Sequence, residues 1–266
     1  MPEAPIRFST SVSLMFRELP LLDRFAAARA AGFEAVEIQV IDEGDPAAMA
    51  ASARAAEIPV LLVNVHLADF RAGGPALSGV PGREAAFRDA FAATLDAATL
   101  LGARLIHLGP SRIPEGQTRE ACLDVYRNNL RFAVERAAGH PAALVIEPLN
   151  TVETPTILLS SLDQAADLIG EVGGSIGIQY DLYHATLNGL DLVETYQRHH
   201  GLIRHIQFAD APGRQEPGTG TVDFPRILTH LRTHGYRGFA GAEYFPARAT
   251  AETLGWLPRF RESVTG

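Results

Sequence analysis

ALVIEP (143–148), SIGIQYD (175–181), IRHIQFAD (203–210) and GFAGAEYF (238–245) are four short apolar runs, each carrying an oxygen-bearing side chain near its end: Glu147, Asp181, Gln207 and Glu243. Those side chains lie 34, 26 and 36 residues apart. This spacing leaves room for one covering helix between successive buried strands, which is the repeat of a parallel barrel. The carboxyl ends of such strands open on one mouth, so the four side chains are predicted to converge there.

Upstream, the same alternation holds. RFSTSVS (7–13) precedes LPLLDRFAAARAAG (19–32), EAVEIQV (34–40) precedes DPAAMAASARAAE (45–57), and IPVLLVNVH (58–66) precedes REAAFRDAFAATLDAATLLG (83–102). ARLIHLG (103–109) precedes TREACLDVYRNNLRFAVERAAG (118–139), which completes eight strand and helix pairs. In the third helix Phe87, Phe91, Leu95 and Ala98 share a face and Gly102 follows as a stop. Continuous apolar strands such as IPVLLV suit a parallel sheet covered by helices. No glycine-rich fingerprint follows the first strand, which sets aside a doubly wound open sheet. The predicted fold class is α/β, a single (β/α)8 TIM barrel over residues 1–266. Residues 247–266, anchored by Leu254, Trp256, Leu257 and Phe260, are expected to form a C-terminal packing segment or a subunit contact in a homo-oligomer.

Two loops are longer than a compact barrel needs, Ala68 to Gly82 and the stretch DAPGRQEPGTG at 210–220. Both follow strands, so both are expected on the mouth side as lids or ligand contacts. EPGTG lacks the lysine of a phosphate loop and reads as a turn before a helix beginning near Asp223.

At 266 residues and 47% hydrophobic, the chain can bury one large core. A formal charge of −8 argues against a surface that tracks nucleic acid and points to a small metabolite. The single cysteine, Cys122, excludes an intrachain disulfide and a cysteine zinc cluster, and shares helical register with Tyr126, Leu130, Ala133 and Ala137. The opening MPEAPIRFST has no basic region followed by a long apolar stretch, and no run of some 18 apolar residues occurs, so a cytoplasmic protein without a membrane span is expected.

A carboxylate at the end of a buried strand has lost hydration, and three such groups at one mouth repel one another. A hard divalent cation, Mg²⁺ or Mn²⁺, held by Glu147, Asp181, Gln207 and Glu243 resolves both problems. The alternative is separate structural interactions, as helix caps or salt bridges to arginines such as Arg204. Glu147 and Glu243, from strands five and eight, can also flank a bound substrate and exchange protons with it, as proton transfer between adjacent carbons through an enediolate requires. His184 is placed to donate to a substrate oxygen, and Glu153 to accept from a hydroxyl or orient His184. Arg214 is a candidate partner for a substrate carboxylate. His66, at the end of the third strand, is a substrate contact or a structural histidine. His107 carries no decisive signal. His199, His200, His230 and His234 fall at helix ends, where the helix dipole explains them.

Taken in order, IEPLN, IQYDLYH, HIQFADAPGRQEPGTG and GAEYFP, with PGRE at 81–84, resemble the hydroxypyruvate isomerase family within the xylose isomerase-like barrels; the similarity extends over most of 6–246. The resemblance implies that Glu147, Asp181, Gln207 and Glu243 bind metal, that Glu147 and Glu243 exchange protons with substrate, and that hydroxypyruvate and tartronate semialdehyde interconvert. The 2-oxo-tetronate isomerases resemble the chain nearly as well. Ketose 3-epimerases share the scaffold but carry histidine where Gln207 stands. Rivals from other classes are an abasic-site DNA endonuclease, which needs more strand-end histidines and a basic groove, and a non-catalytic sugar-binding barrel.

Overall fold

The computed structural model describes residues 6–265. Eight strands form a closed, all-parallel barrel in sequence order: β1 (Arg7–Ser11), β2 (Ala35–Ile38), β3 (Val60–Asn64), β4 (Leu105–His107), β5 (Ala143–Ile146), β6 (Ile176–Asp181), β7 (Ile203–Phe208) and β8 (Phe239–Ala242). β1 pairs with β8, which leaves no free sheet edge. The helices are α1 (Arg24–Ala30), α2 (Pro46–Ala55), α3 (Glu84–Leu101), α4 (Arg119–Arg136), α5 (Leu162–Val172), α6 (Leu182–Leu187), α7 (Leu192–His199), α8 (Phe224–Thr233) and α9 (Trp256–Thr265). The eight-fold alternation read from the sequence is the observed one, except that two short helices, α6 and α7, occupy the stretch between β6 and β7.

Local chemistry sets the helix boundaries. Asp45, Thr118, Ser161 and Asp223 each cap a helix by accepting a backbone N–H of its first turn. Gly102 ends α3 at φ 63°, a left-handed geometry that glycine adopts without cost. Cys122 is buried on the inner face of α4 with Tyr126, Leu130 and Ala133.

Strand alternation divides the interior in two. Phe8, Val36, Ile38, Val63, Ile106, Ile146, Ile178, Ile206 and Phe208 belong to the large apolar cluster between sheet and helices. A separate cluster of Ala35, Leu61, Leu62, Leu105, Val145 and Phe239 plugs the barrel toward the amino ends of the strands. Trp256 and Phe260 of α9 pack on Phe8 and Phe208 with ring centroids 5.2–6.2 Å apart, so the C-terminal segment seals the outer cluster. No helix among the described residues is long and apolar enough to cross a membrane.

Above the plug the barrel interior is polar. Ser9, Glu37, Gln179, His205 and Gln207 are all buried there. Glu37 fits because β8 presents glycine: a Cβ on Gly241 would overlap Glu37 Oε1. Gly241→Ala is therefore expected to destabilise the protein by about 1–3 kcal/mol through overpacking, read from the urea midpoint. An unchanged midpoint would show that the Glu37 side chain can move aside.

Candidate active site

Glu147 follows β5, Asp181 ends β6, Gln207 lies near the end of β7 and Glu243 follows β8, so all four stand at the carboxyl end of the barrel, and all are buried. Asp181 pairs in register with Gln207, and Gln207 with Gly241, two residues before Glu243. Ligand atoms of Glu147, Asp181 and His184 lie within 4.8 Å of one another. Glu243 joins this group through Arg214, whose Nη2 is 3.0 Å from Glu243 Oε2 and 3.6 Å from Asp181 Oδ2. Gln207 turns its amide toward Gln179 and Glu37.

Arg214 reaches the centre because its loop is fastened. The Asp210 carboxylate accepts the backbone N–H of Ala211, Gly218 and Val222, and the Arg214 carbonyl accepts the N–H of Phe245. The guanidinium is half-buried, 5.2 Å from the Tyr183 ring centroid. Arg214 thus pairs with the protein's own carboxylates, at the edge of the cavity where a substrate carboxylate was expected to meet it. Burial alone would lower its pKa, but Glu243, Asp181 and Glu147 outweigh that and hold it charged.

Even so, one guanidinium does not satisfy three acids. Burial first, then Asp181 and Glu243, pushes Glu147 well above the usual carboxylate range. Burial pushes Glu243 up to about 8 against the opposing Arg214, and raises Asp181 as well. Glu147 Oε1 and Asp181 Oδ2 are buried without a hydrogen-bond partner among the described residues. Orphaned carboxylate oxygens in an oxygen-rich setting fit a hard divalent cation. Asp181 also caps α6 by accepting the N–H of Tyr183 through Oδ1, so the capping role and an outward Oδ2 coexist in one side chain.

His184 is an electrically neutral donor. Its Nδ1 accepts the backbone N–H of Asn150 at 3.2 Å and the Asn150 side-chain amide at 2.7 Å, which leaves the proton on Nε2. That nitrogen lies 3.7 Å from Asp181 Oδ2. Burial and then Arg214 hold the imidazole pKa well below its ordinary value. Glu153 works behind this arrangement: it accepts from Asn150 Nδ2 at 3.0 Å and from the Tyr183 hydroxyl at 2.5 Å. It orients His184 through Asn150, while its carboxylate is taken up by these two partners.

The mouth opens into a cavity of about 170 Å³ lined by Asn64, Arg71, His107, Glu147, His184, Arg214 and Glu243, among others. The His107 imidazole is buried without a hydrogen-bond partner among the described residues, and burial lowers its pKa to about 3, so it is neutral. Both long loops reach this cavity, one through Leu67, Phe70 and Arg71 and the other through Arg214. The first is clamped by Arg112, which donates to the Phe70 and Gly74 carbonyls, and by the Arg83–Asp69 pair at 2.8 Å.

His66 is not brought to the cavity. The β3 ladder ends where Val65 N–H meets the His107 carbonyl, and the chain then turns outward at Ala68, φ 47°. His66 pairs with Asp42 at 3.1 Å beside a hollow that also touches Pro46, Ala90 and Ala97. Asn64 stands at the mouth instead, its buried Oδ1 without a partner among the described residues. Sequence reasoning also missed Glu37, Gln39, Gln179 and His205. A signal was available: polar residues two apart within buried strands, as in Glu37/Gln39, Gln179/Asp181 and His205/Gln207, mark the face turned into the barrel.

Residues 25–260 match the family profile described as xylose isomerase-like TIM barrel. The chain is 36% identical over 252 residues to 2-oxo-tetronate isomerase of Cupriavidus necator, covering 94% of this chain and 97% of that protein. It is 32% identical over 257 residues to hydroxypyruvate isomerase of Escherichia coli, covering 96% and 100%. A crystal structure from Brucella melitensis, named as an AP endonuclease of family 2, superposes with a TM-score of 0.91 at 34% identity, covering 97% of this chain and 99% of that one. The closed parallel barrel, the acidic mouth and these similarities agree: the chain belongs to the xylose isomerase-like TIM-barrel family, in the group that includes hydroxypyruvate isomerase and 2-oxo-tetronate isomerase.

Proposed function

We propose that the protein is a divalent-metal-dependent isomerase that interconverts a short 2-oxo acid and its aldehyde isomer, with hydroxypyruvate and tartronate semialdehyde as the leading pair and a 2-oxo-tetronate as the alternative. The observation that carries this reading is the pair of buried, proton-hungry glutamates, Glu147 and Glu243, at one mouth beside Asp181. Glu147, Asp181, Glu243 and the Gln207 carbonyl would hold Mg²⁺ or Mn²⁺, which when bound supplies positive charge against the substrate's developing oxyanion. One glutamate removes the proton from the hydroxyl-bearing carbon and the other delivers a proton to the neighbouring carbon, with the charge carried between the two steps by an enediolate. His184 Nε2–H, neutral and fixed by Asn150, donates to a substrate oxygen as negative charge grows there.

The cavity size supports a small substrate. At about 170 Å³ it is well below the roughly 300–1,000 Å³ of sites for drug-sized ligands, and suits a molecule of three or four carbons. Arg71 is a second guanidinium of the cavity wall, beside Arg214, that can meet a substrate carboxylate; its described partner is Glu43 at 3.6 Å.

The name of the Brucella structure prompts a nuclease reading. Phosphodiester chemistry on a duplex calls for a basic binding face, whereas this chain carries a net charge of −8.

The test is incubation of the Mn²⁺-supplemented protein in D₂O with hydroxypyruvate, 2-oxo-tetronates and ketohexoses, followed by NMR. Isomerisation of an oxo acid, with deuterium appearing at the reacting carbon, is expected. Epimerisation of ketohexoses alone, or cleavage of an abasic duplex with no isomerisation, would overturn the reading.

A further inference from the structure

Glu37 is a carboxylate with no access to solvent, set deep in the barrel below the candidate cation site. It accepts from four side chains: Ser9 Oγ at 2.6 Å, His205 Nε2 at 2.9 Å, Gln207 Nε2 at 2.6 Å and Gln39 Nε2 at 3.2 Å. The space it fills exists because Gly241 has no side chain. Its two oxygens meet four side chains between them, a hydroxyl, two amide NH₂ groups and an imidazole nitrogen, so the carboxylate acts as the acceptor at the centre of the cluster.

This matters for Gln207 because the two ends of an amide are nearly alike in shape and opposite in chemistry. An acceptor-only partner at 2.6 Å fixes the NH₂ end inward. The Gln207 oxygen then faces the other way, where it accepts from Gln179 Nε2 at 2.5 Å. One orientation therefore runs from Glu37 through Gln207 to Gln179, set at its buried end by the carboxylate acceptor.

We propose that Glu37 is a positioning residue, which by holding the NH₂ of Gln207 makes that amide present oxygen to the cation site. This inference rests on the reading of Gln207 as an oxygen ligand for a divalent cation. With a partner at position 37 that can also donate, the Gln207 amide is free to turn its NH₂ toward the site, where it opposes a cation. The unpartnered Oε1 of Gln179 is available to accept from that turned amide, so the reversed chain also has hydrogen bonds to make.

The experiment is titration calorimetry with Mn²⁺ on the full chain for the wild type, Glu37→Gln and Ser9→Ala, with thermal unfolding of each in chelator. Glu37→Gln keeps the volume and removes the charge, and is expected to weaken Mn²⁺ binding roughly 10- to 100-fold, the usual cost of losing a partner of a metal ligand. Ser9→Ala removes a donor to Glu37 without freeing Gln207 and is expected to leave Mn²⁺ affinity within about twofold, even if both variants unfold at lower temperature. Equal Mn²⁺ affinity in the wild type and Glu37→Gln would overturn the positioning role, as would an equal loss in Ser9→Ala. If Glu37→Gln does not fold, a crystal structure of the Mn²⁺-loaded wild type decides: Gln207 Nε2 on Glu37 with its oxygen on the ion supports the inference, and any other arrangement overturns it. A wild type that binds no divalent cation would instead defeat the proposed function, so the two failures are told apart.

Discussion

Glu147→Gln and Glu243→Gln are each expected to lower kcat by roughly 10²- to 10⁴-fold, the range that a positioned general base contributes, and to suppress deuterium uptake from solvent at the reacting carbon. Glutamine keeps the shape of each side chain and removes the ability to accept a proton. Both glutamates are buried, and both are held above the usual carboxylate range by lost hydration and by neighbouring acids. Groups poised in this way are suited to taking and returning protons near neutral pH. The effect should fall mainly on kcat, because the interaction removed belongs to the transition state. Wild-type exchange rates in both variants would remove the two residues from proton transfer and leave them as structural acids.

Removing divalent metal with a chelator is expected to abolish turnover, and returning Mn²⁺ or Mg²⁺ to restore it. The pH dependence has a definite sign. Glu243 has a folded pKa raised to about 8, so between the ordinary glutamate value and 8 the folded protein holds a proton that the unfolded chain has released. Stability of the metal-free protein should therefore fall as pH rises through that window and level off above it. A cation competes with the same protons, so its affinity should climb over the same interval, with proton release on binding. Thermal unfolding with and without metal from pH 5 to 9, and calorimetry in buffers of different ionisation enthalpy, check both trends. Full activity in thoroughly chelated protein would refute the role given to the cation.

The barrel was legible because its evidence repeats. Eight apolar runs with eight amphipathic stretches between them admit few other arrangements, and a misjudged boundary in one repeat does not disturb the rest. The mouth was legible for a related reason: in a parallel barrel every strand end points the same way, so Glu147, Asp181, Gln207 and Glu243 could be placed at the same end of the barrel without knowing any contact. What stayed hidden depends on lateral register and on loop paths. Glu37 is the one acid within β2, and its four donors come from β1, from Gln39 just after β2, and from β7. His66 was expected at the mouth because two more extended residues after Asn64 would have carried it there, but the ladder ends first. Arg214 could be placed in a loop on the correct side. That it reaches back to Glu243, 29 positions away in the chain, follows only from the staples at Asp210 and Phe245.

The guanidinium between Glu243 and Asp181 also bears on how the protein acquires an ion. A mouth that already holds an internal positive group can be made and fold with its acids partly compensated, before any metal arrives. On the proposed function, loading would replace one counter-charge by another: the arriving ion would compete with a tethered arginine whose local concentration is fixed by the loop. Uptake should accordingly be governed by how readily that loop releases its side chain as much as by the concentration of free ion.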